Sequence, residues 1–439
     1  MRRIVLSAAI AVTVGTTAVV ATPAARAEEP TGASRVSVAY DGEPASDSSH
    51  FPVVSGDGQV VAFGSNAVNI VRQDFNNVYD TFVRDLSTGV STRVSVATDG
   101  TPANAASYGA ALSYDGRFVA FYSAARNLVP GDTNNASDVF VHDRQTGTTS
   151  RVSVATDGTE ANGPSQNPQL SADGRWVTFS TTATNLAPGA VGSKSKVLLH
   201  DRETGTTTEV SVRPDGTSGT EDSRLPSISA DGRYVGFISS DRQIVPSPRF
   251  IAMNAYVRDM QSGTTVRVNA TSQSSLGYAI PKVGTPVLVS PDGRYATFFT
   301  DTAMVPEDTN RAADAYRIEL ATGSVTRVSV GAEGVQGDKA SGLTITGAPM
   351  SADGRYVAFD SEATNLVPGD TNGVRDIFVR DTVNDTTTLV STGEAPNTRP
   401  SYYPAISADG SIVVFTTDGA LTADDTNLRN DVYLARHQG

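Results

Sequence analysis

The chain contains no cysteine. That excludes a disulfide framework, a lipid anchor on a cysteine, a thiolate metal site and a cysteine nucleophile. Histidine is scarce, with four in 439 residues, and tryptophan occurs once. Basic residues number 34 against 47 acidic ones, a formal net charge of −13, and this balance argues against nucleic acid or an anionic membrane as partner. Beyond residue 27 no apolar run is long enough to span a bilayer. A Gly-x-Ser-x-Gly elbow, a His-Glu-x-x-His pair and a phosphate loop are all absent from the sequence.

What is present begins with "MRRIVLSAAIAVTVGTTAVVATPAARA". A basic start at Arg2 and Arg3, an apolar run and a small-x-small end at Ala25-Arg26-Ala27 describe a secretory signal peptide over residues 1–27. The mature chain is then expected to start at Glu28, with 28–34 as a short lead, and to be secreted or extracytoplasmic. A retained N-terminal anchor is the alternative reading of the same run. Removing three arginines with the leader makes the mature chain still more acidic.

The rest is a repeat. The tetrad "RVSV" starts at Arg35, Arg93, Arg151 and Arg327, and "EVSV" at Glu209, "RVNA" at Arg267 and "LVST" at Leu389 complete the series. The intervals are 58, 58, 58, 58, 60 and 62 residues. An Asp-Gly landmark recurs at Asp57, Asp115, Asp173, Asp231, Asp292, Asp353 and Asp409. One unit reads as four short strands, "GAALS", "RFVAFYS", "DVFVHD" and "TTSRVSV", separated by "YDG" and "RQTG" hairpins and one long loop. "FVAF" is apolar at successive positions, as expected when both faces of a sheet are covered. These features predict an all-β fold, a seven-bladed β-propeller of four-stranded antiparallel blades. The lone first tetrad and a last unit with only three strands predict closure by the N-terminal strand joining the last blade, a 1+3 arrangement, so that 35–439 is one domain.

The stretches "SADGRYVAF" and "SPDGRYATF" resemble the WD40-like repeat of the TolB-type propeller family. That resemblance implies the propeller fold and an exported, free-standing member. It implies little about function, because the family includes binding proteins and the propeller parts of some peptidases.

Most length variation falls between a blade's fourth strand and the next Asp-Gly. That connection shares a face with the long loop between second and third strands, so function is expected on the long-loop face. The long loop itself aligns on Asp-x-Asn-x-x-x-Asp. It is intact as Asp74/Asn76/Asp80, Asp132/Asn134/Asp138, Asp308/Asn310/Asp314, Asp370/Asn372/Asp376 and Asp425/Asn427/Asp431. Two readings stand side by side: structural Asx turns, or oxygen ligands for calcium in one or more loops. No cofactor is required by the sequence.

Two adjacent blades break that pattern. Lys194 and Lys196 stand in one loop, Arg249, Phe250 and Met253 in the next, and Tyr278 and Lys282 in a neighbouring enlarged connection. A basic and apolar sector on an acidic ring suits a protein or glycan partner. The sequence is therefore read as a monomeric, non-enzymatic binding or scaffolding module for an extracellular or envelope partner, peripheral to a membrane at most. The alternative is a secreted carbohydrate-active enzyme, a hydrolase or lyase with axial carboxylates. His50 is the one histidine in a long loop. His142 and His200, just before the aspartate that ends the third strand, are expected to be surface strand residues, and that aspartate is expected to support the hairpin.

Overall fold

The computed structural model describes residues 32–189, 194–246, 253–271, 279, 285–342, 349–394 and 397–438. The predicted leader, 1–27, lies outside the described residues. Seven antiparallel sheets are present, six of four strands and one of three. Blades 1 to 7 span 49–93, 107–151, 165–209, 223–267, 288–327, 341–389 and 401–436. In blade 6 isolated bridges from Ser341 to Ser361 and from Met350 to Val357 mark the course of its first strand. The only helical element among the described residues is one 3-10 turn, Ala332–Gly334.

Burial follows the sequence pattern. The second strand is sandwiched, so Val60–Ser65 and Ile412–Thr417 are buried at every position, while outer strands such as Val90–Arg93 are exposed or half-buried. Cross-strand aromatic pairs hold second and third strands together: Phe63 faces Phe82 and Phe121 faces Phe140, with ring centroids 5.9 and 5.8 Å apart. The apolar core runs between blades as well as within them. One cluster joins Val54, Val61 and Phe63 of blade 1 to Ala405, Val414 and Val432 of blade 7.

The Asp-Gly turn is wider than the two-residue hairpin expected. Ser113 N–H donates to Phe118 O, and Gly116 N–H to Ser113 O, so residues 114–117 turn the corner. Gly116 alone in this turn has positive φ, 65°, where a residue without Cβ is unstrained. The Ser113 hydroxyl donates to Asp115 and accepts from Phe118 N–H, which explains why serine opens the repeat.

These turns also join the blades. Tyr114 N–H donates to Ala172 O, Ala172 to Ala230 O, and Ala230 to Pro291 O. Asp292 continues to Ala352 O, Ala352 to Ala408 O, Ala408 to Gly56 O, and Asp57 to Tyr114 O. Seven bonds of 2.7 to 3.1 Å thus form a closed circuit on the tight-turn face.

Closure is by the N-terminal strand, as expected. Ser34 pairs with Leu434 and Arg35 with Tyr433, antiparallel, at the outer edge of blade 7, and Ser37 Oγ donates to buried Asp431 at 2.5 Å. A chain starting at Ala39 would bare that edge and strip Asp431 of its hydroxyl donor. Its calorimetric midpoint is expected to fall well below that of the chain starting at Glu28; equal midpoints would mean that this strand does not close the ring.

Candidate functional site

The long loops are organised around arginine. In blade 1, Arg93 Nη1 lies 2.7 Å from Asp74 Oδ1 and 3.3 Å from Asp80 Oδ2. Ser95 Oγ donates to Asp80 Oδ1 at 2.6 Å, and Asn76 Nδ2 to Asp80 Oδ2 at 2.7 Å. Asn76 also donates to Ala103 O in the next connection, so one latch joins loop, fourth strand and neighbouring blade. Blade 2 repeats it: Arg151 stands 3.6 Å from both Asp132 and Asp138, and Asn134 donates to Asp138 at 2.8 Å. In blade 5 Arg327 lies 3.5 Å from Asp308, with Asn310 on Asp314. In blade 7 Arg35 lies 3.6 Å from Asp425, with Asn427 on Asp431.

The Asx-turn reading fits this geometry. The amide oxygens of Asn134, Asn310, Asn372 and Asn427 each accept the backbone N–H two residues on, at 2.8 to 3.0 Å. In blades 1, 2, 5 and 7 a guanidinium sits where a cation would be wrapped. Among the described residues no group of three or more His, Asp or Glu side chains is placed to hold a metal. Burial raises the carboxyls of Asp80, Asp138, Asp314 and Asp376 above the ordinary range, and that of Asp431 to about 6.

Of the residues expected to form a basic patch, Arg249, Phe250, Tyr278 and Lys282 lie outside the described residues. Lys194 is exposed and stands 3.7 Å from Glu221 and Asp222. Lys196 is not on the surface: it is 1% exposed, opposite Glu209 at the position arginine takes elsewhere. It is a buried counter-charge with the signs of the latch exchanged, which removes it from any contact surface. Met253 packs against the core between blades 4 and 5. The histidines differ from expectation too. His142 and His200 are buried, and their Nδ1 atoms bond Thr149 and Thr207, whose hydroxyls donate to Val96 O and Val154 O of the preceding repeat. Asp143 supports its hairpin as expected, accepting Gln145 N–H, and is also held by a bidentate pair from Arg117.

A different group converges on the long-loop face. Innermost strands carry a β-bulge in five blades, and Phe51, Asn167, Leu225 and Tyr403 there have φ of 53 to 56°. Such bulges re-aim side chains, at a cost in backbone strain for large residues. Phe51 and Tyr403, from adjacent blades, meet with centroids 4.6 Å apart and ring planes tilted by 57°; His50 lies 5.7 Å from Phe51 and Tyr402 5.9 Å from Tyr403. A second run follows in Tyr79, Tyr108 and Tyr122, at 4.9 and 5.7 Å. Gly64 lets this happen, since a Cβ there would lie 2.3 Å from the Tyr79 ring. Tyr108 is 40% exposed. The Tyr79 hydroxyl is buried with no hydrogen-bond partner.

Charged groups edge the aromatic run. Arg375 is 2.6 Å from Glu362 and 3.5 Å from Asp360, with its guanidinium over the Tyr402 ring at 5.6 Å. Tyr402 donates to Asp418 at 2.9 Å, and burial with that carboxylate pushes its phenol to about 12. Burial holds the His50 imidazole below its ordinary value against the opposing pull of Asp418 and Asp47. Exposed Phe75 and Leu428 project from the neighbouring loops of blades 1 and 7. Sequence reasoning singled out only His50 of this group, and in a loop, whereas it lies in the innermost strand Ser49–Val54; a further signal was the proline after the bulge residue at Pro52, Pro168, Pro226 and Pro404, which an edge strand takes at a bulge.

The opposite end of the axis is of another kind. A cavity of about 330 Å³ is lined there by Val54, Leu112, Leu170, Ile228, Met350 and Ile406, with Asp292 the one ionisable side chain apart from Tyr114. It holds no convergence of carboxylates.

No family model matches the chain, and no curated protein matches it in sequence. Among solved structures it is similar to an oligogalacturonate lyase in complex with manganese, at 14% identity, covering 89% of this chain and 90% of that one, with a TM-score of 0.51. It is also similar to the β-propeller domain of the Trilobed protease from Pyrococcus furiosus, at 14% identity, 90% and 96% coverage and a TM-score of 0.50. A putative TolB from Agrobacterium tumefaciens aligns at 16% identity over 81% of this chain and 97% of that one, with a TM-score of 0.41. These likenesses concern the propeller fold alone.

Two predictions test the latch. Arg93→Leu leaves Asp74 and Asp80 buried without their counter-ion, and is expected to cost about 3–5 kcal/mol in urea unfolding; a loss under about 1 kcal/mol would contradict the latch. Asp431 has a folded pKa raised above its unfolded value near 3.9. Its contribution to stability is fully present below about pH 4 and is lost as pH rises through about 6. Asp431→Asn should flatten that part of the profile of midpoint against pH.

Proposed function

We propose that this propeller is an exported binding module that engages a glycan-bearing extracellular or cell-envelope partner through its long-loop face, at the aromatic mouth formed by blades 6, 7, 1 and 2. The observation that carries this reading is the tilted contact of Phe51 with Tyr403 and the stack of Tyr79 on Tyr108 beside the Arg375 and Asp418 charges. Flat rings offer apolar faces to the C–H faces of sugars, while phenols, guanidinium and carboxylates take their hydroxyls or acids. Strained bulge residues place the rings on rigid inner strands, so little order has to be imposed on binding. The exposed side chains Phe75 and Leu428 extend the apolar surface outward, as a partner-binding rim would.

A second reading shares the mouth. A carbohydrate-active enzyme would use His50, whose lowered pKa keeps it in the neutral, basic form at pH 7 beside Asp47 and Asp418. The two readings separate in one experiment. Residues 28–439 are titrated by calorimetry against cell-wall and extracellular polysaccharide fragments, and the same mixtures are assayed for shortened chains. Tyr403→Ala and Tyr108→Ala should each weaken binding about tenfold or more, the scale of an aromatic hot spot, with the melting transition retained. Chain shortening abolished by His50→Ala would establish the enzyme instead, and binding untouched by either tyrosine variant would remove the mouth from consideration.

A further inference from the structure

Each blade that buries ionisable groups in its latch balances them internally, with one exception. Blades 1, 2, 5 and 7 set arginine against the paired aspartates. Blade 3 exchanges the signs: Lys196 and Glu209 are both buried and each favours the other's charge, without a direct ion pair among the described residues. Blade 4 replaces the acid by Asn254, bonded to Asn269, and its Arg267 donates to Val245 O. Blade 6 keeps both acids, Asp370 and Asp376, but has Leu389 where the arginine belongs.

The consequence is a buried carboxylate pair without a counter-charge. Asp370 is 7% exposed, and its Oδ1 is buried with no hydrogen bond. The blade 2 equivalent, Asp132 Oδ1, also lacks a hydrogen bond, but Arg151 stands 3.6 Å from it. Asp376 is otherwise engaged: Ser391 and Asn397 donate to its Oδ1, and Asn372 to its Oδ2 at 2.6 Å. Among the described residues no lysine or arginine lies within ion-pair distance of Asp370 or Asp376. Exposed Lys339 favours the charge on Asp370, and Asp376 and Asp338 oppose it. The segments of this sector outside the described residues, 343–348 and 395–396, contain no basic residue.

We propose that blade 6 binds a divalent cation of the calcium class between Asp370 and Asp376, in the place that a guanidinium occupies in blades 1, 2, 5 and 7. Leucine is shorter than arginine by the whole guanidinium group, so Leu389 supplies no charge to that place. Two carboxylates match a double positive charge, and a hard cation takes oxygen ligands, completing its shell with carbonyls and water. The same loop carries Arg375 beside Tyr402, so the ion would also fix one edge of the aromatic mouth. The site stands whether or not that mouth binds a glycan.

The test is calorimetric titration of chelator-treated 28–439 with calcium chloride, beside Leu389→Arg and Asp370→Asn. The unsubstituted chain should bind one ion and gain thermal midpoint on binding. Leu389→Arg, which restores the sibling latch, should lose the isotherm while its chelator midpoint equals or exceeds the parent's. Asp370→Asn should lose the isotherm too. No binding by the unsubstituted chain would overturn the proposal. Binding unchanged in both variants would place the ion elsewhere and overturn it equally.

Discussion

The circuit of seven backbone hydrogen bonds on the tight-turn face is the constraint on which the rest depends. Each bond is donated by the residue before an Asp-Gly pair or, beside Gly56 and Pro291, by the aspartate itself. The geometry requires every turn to sit at the same height and angle around the axis. Spacing from that turn to the next tetrad is accordingly almost constant, while the connection before it varies. Close approach at the axis keeps the ring positions mostly small, as at Gly56, Ala172, Ala230, Ala352 and Ala408, and the well they line is apolar. Variation is displaced to the opposite face, where loops end in solvent and a change of length or charge leaves the circuit intact.

Charge is managed one blade at a time. Burying a carboxylate costs several kcal/mol unless a counter-charge or hydrogen bonds replace water, and in blades 1, 2, 5 and 7 the loop meets that demand through the arginine that ends the fourth strand. The repeat therefore tolerates exchange of partners in sets, as with Lys196 and Glu209, better than loss of one. Basic residues in blade 3 that look like a surface feature in one dimension divide in three: Lys196 is buried in the sector of Glu209, and Lys194 lies in solvent near two acids.

The fold was legible because periodicity repeats one physical problem seven times. Strand positions, the left-handed glycines and the closing strand follow from β-branched runs, turn residues and an unmatched first tetrad. The width of the Asp-Gly turn was misread, since Ser113 closes it from outside the quoted dipeptide. Burial of His142 and His200 was missed because the threonines that bond them lie across a hairpin and report to a neighbouring blade. The aromatic mouth was the least visible element. Its members come from blades 7, 1 and 2 and meet only when the ring closes, and their local mark, proline in an inner strand, reads in isolation as a strand breaker. The acidic loops were correctly located but their partner was not, because Arg93 and Asp74 are separated by a full strand and hairpin.

The molecule has a fixed tight-turn face and, opposite it, the proposed binding face, and amide hydrogen exchange tests that division directly. Exchange of residues 28–439 would be followed by mass spectrometry with and without a mixture of cell-wall glycans. Added protection is predicted in peptides covering 47–51, 75–81, 106–109 and 399–403, with the turns around Asp57, Asp115 and Asp292 unchanged. Protection confined to those turns, and absent from the mouth, would place the ligand in the apolar axial well and contradict the assignment of function to the long-loop face.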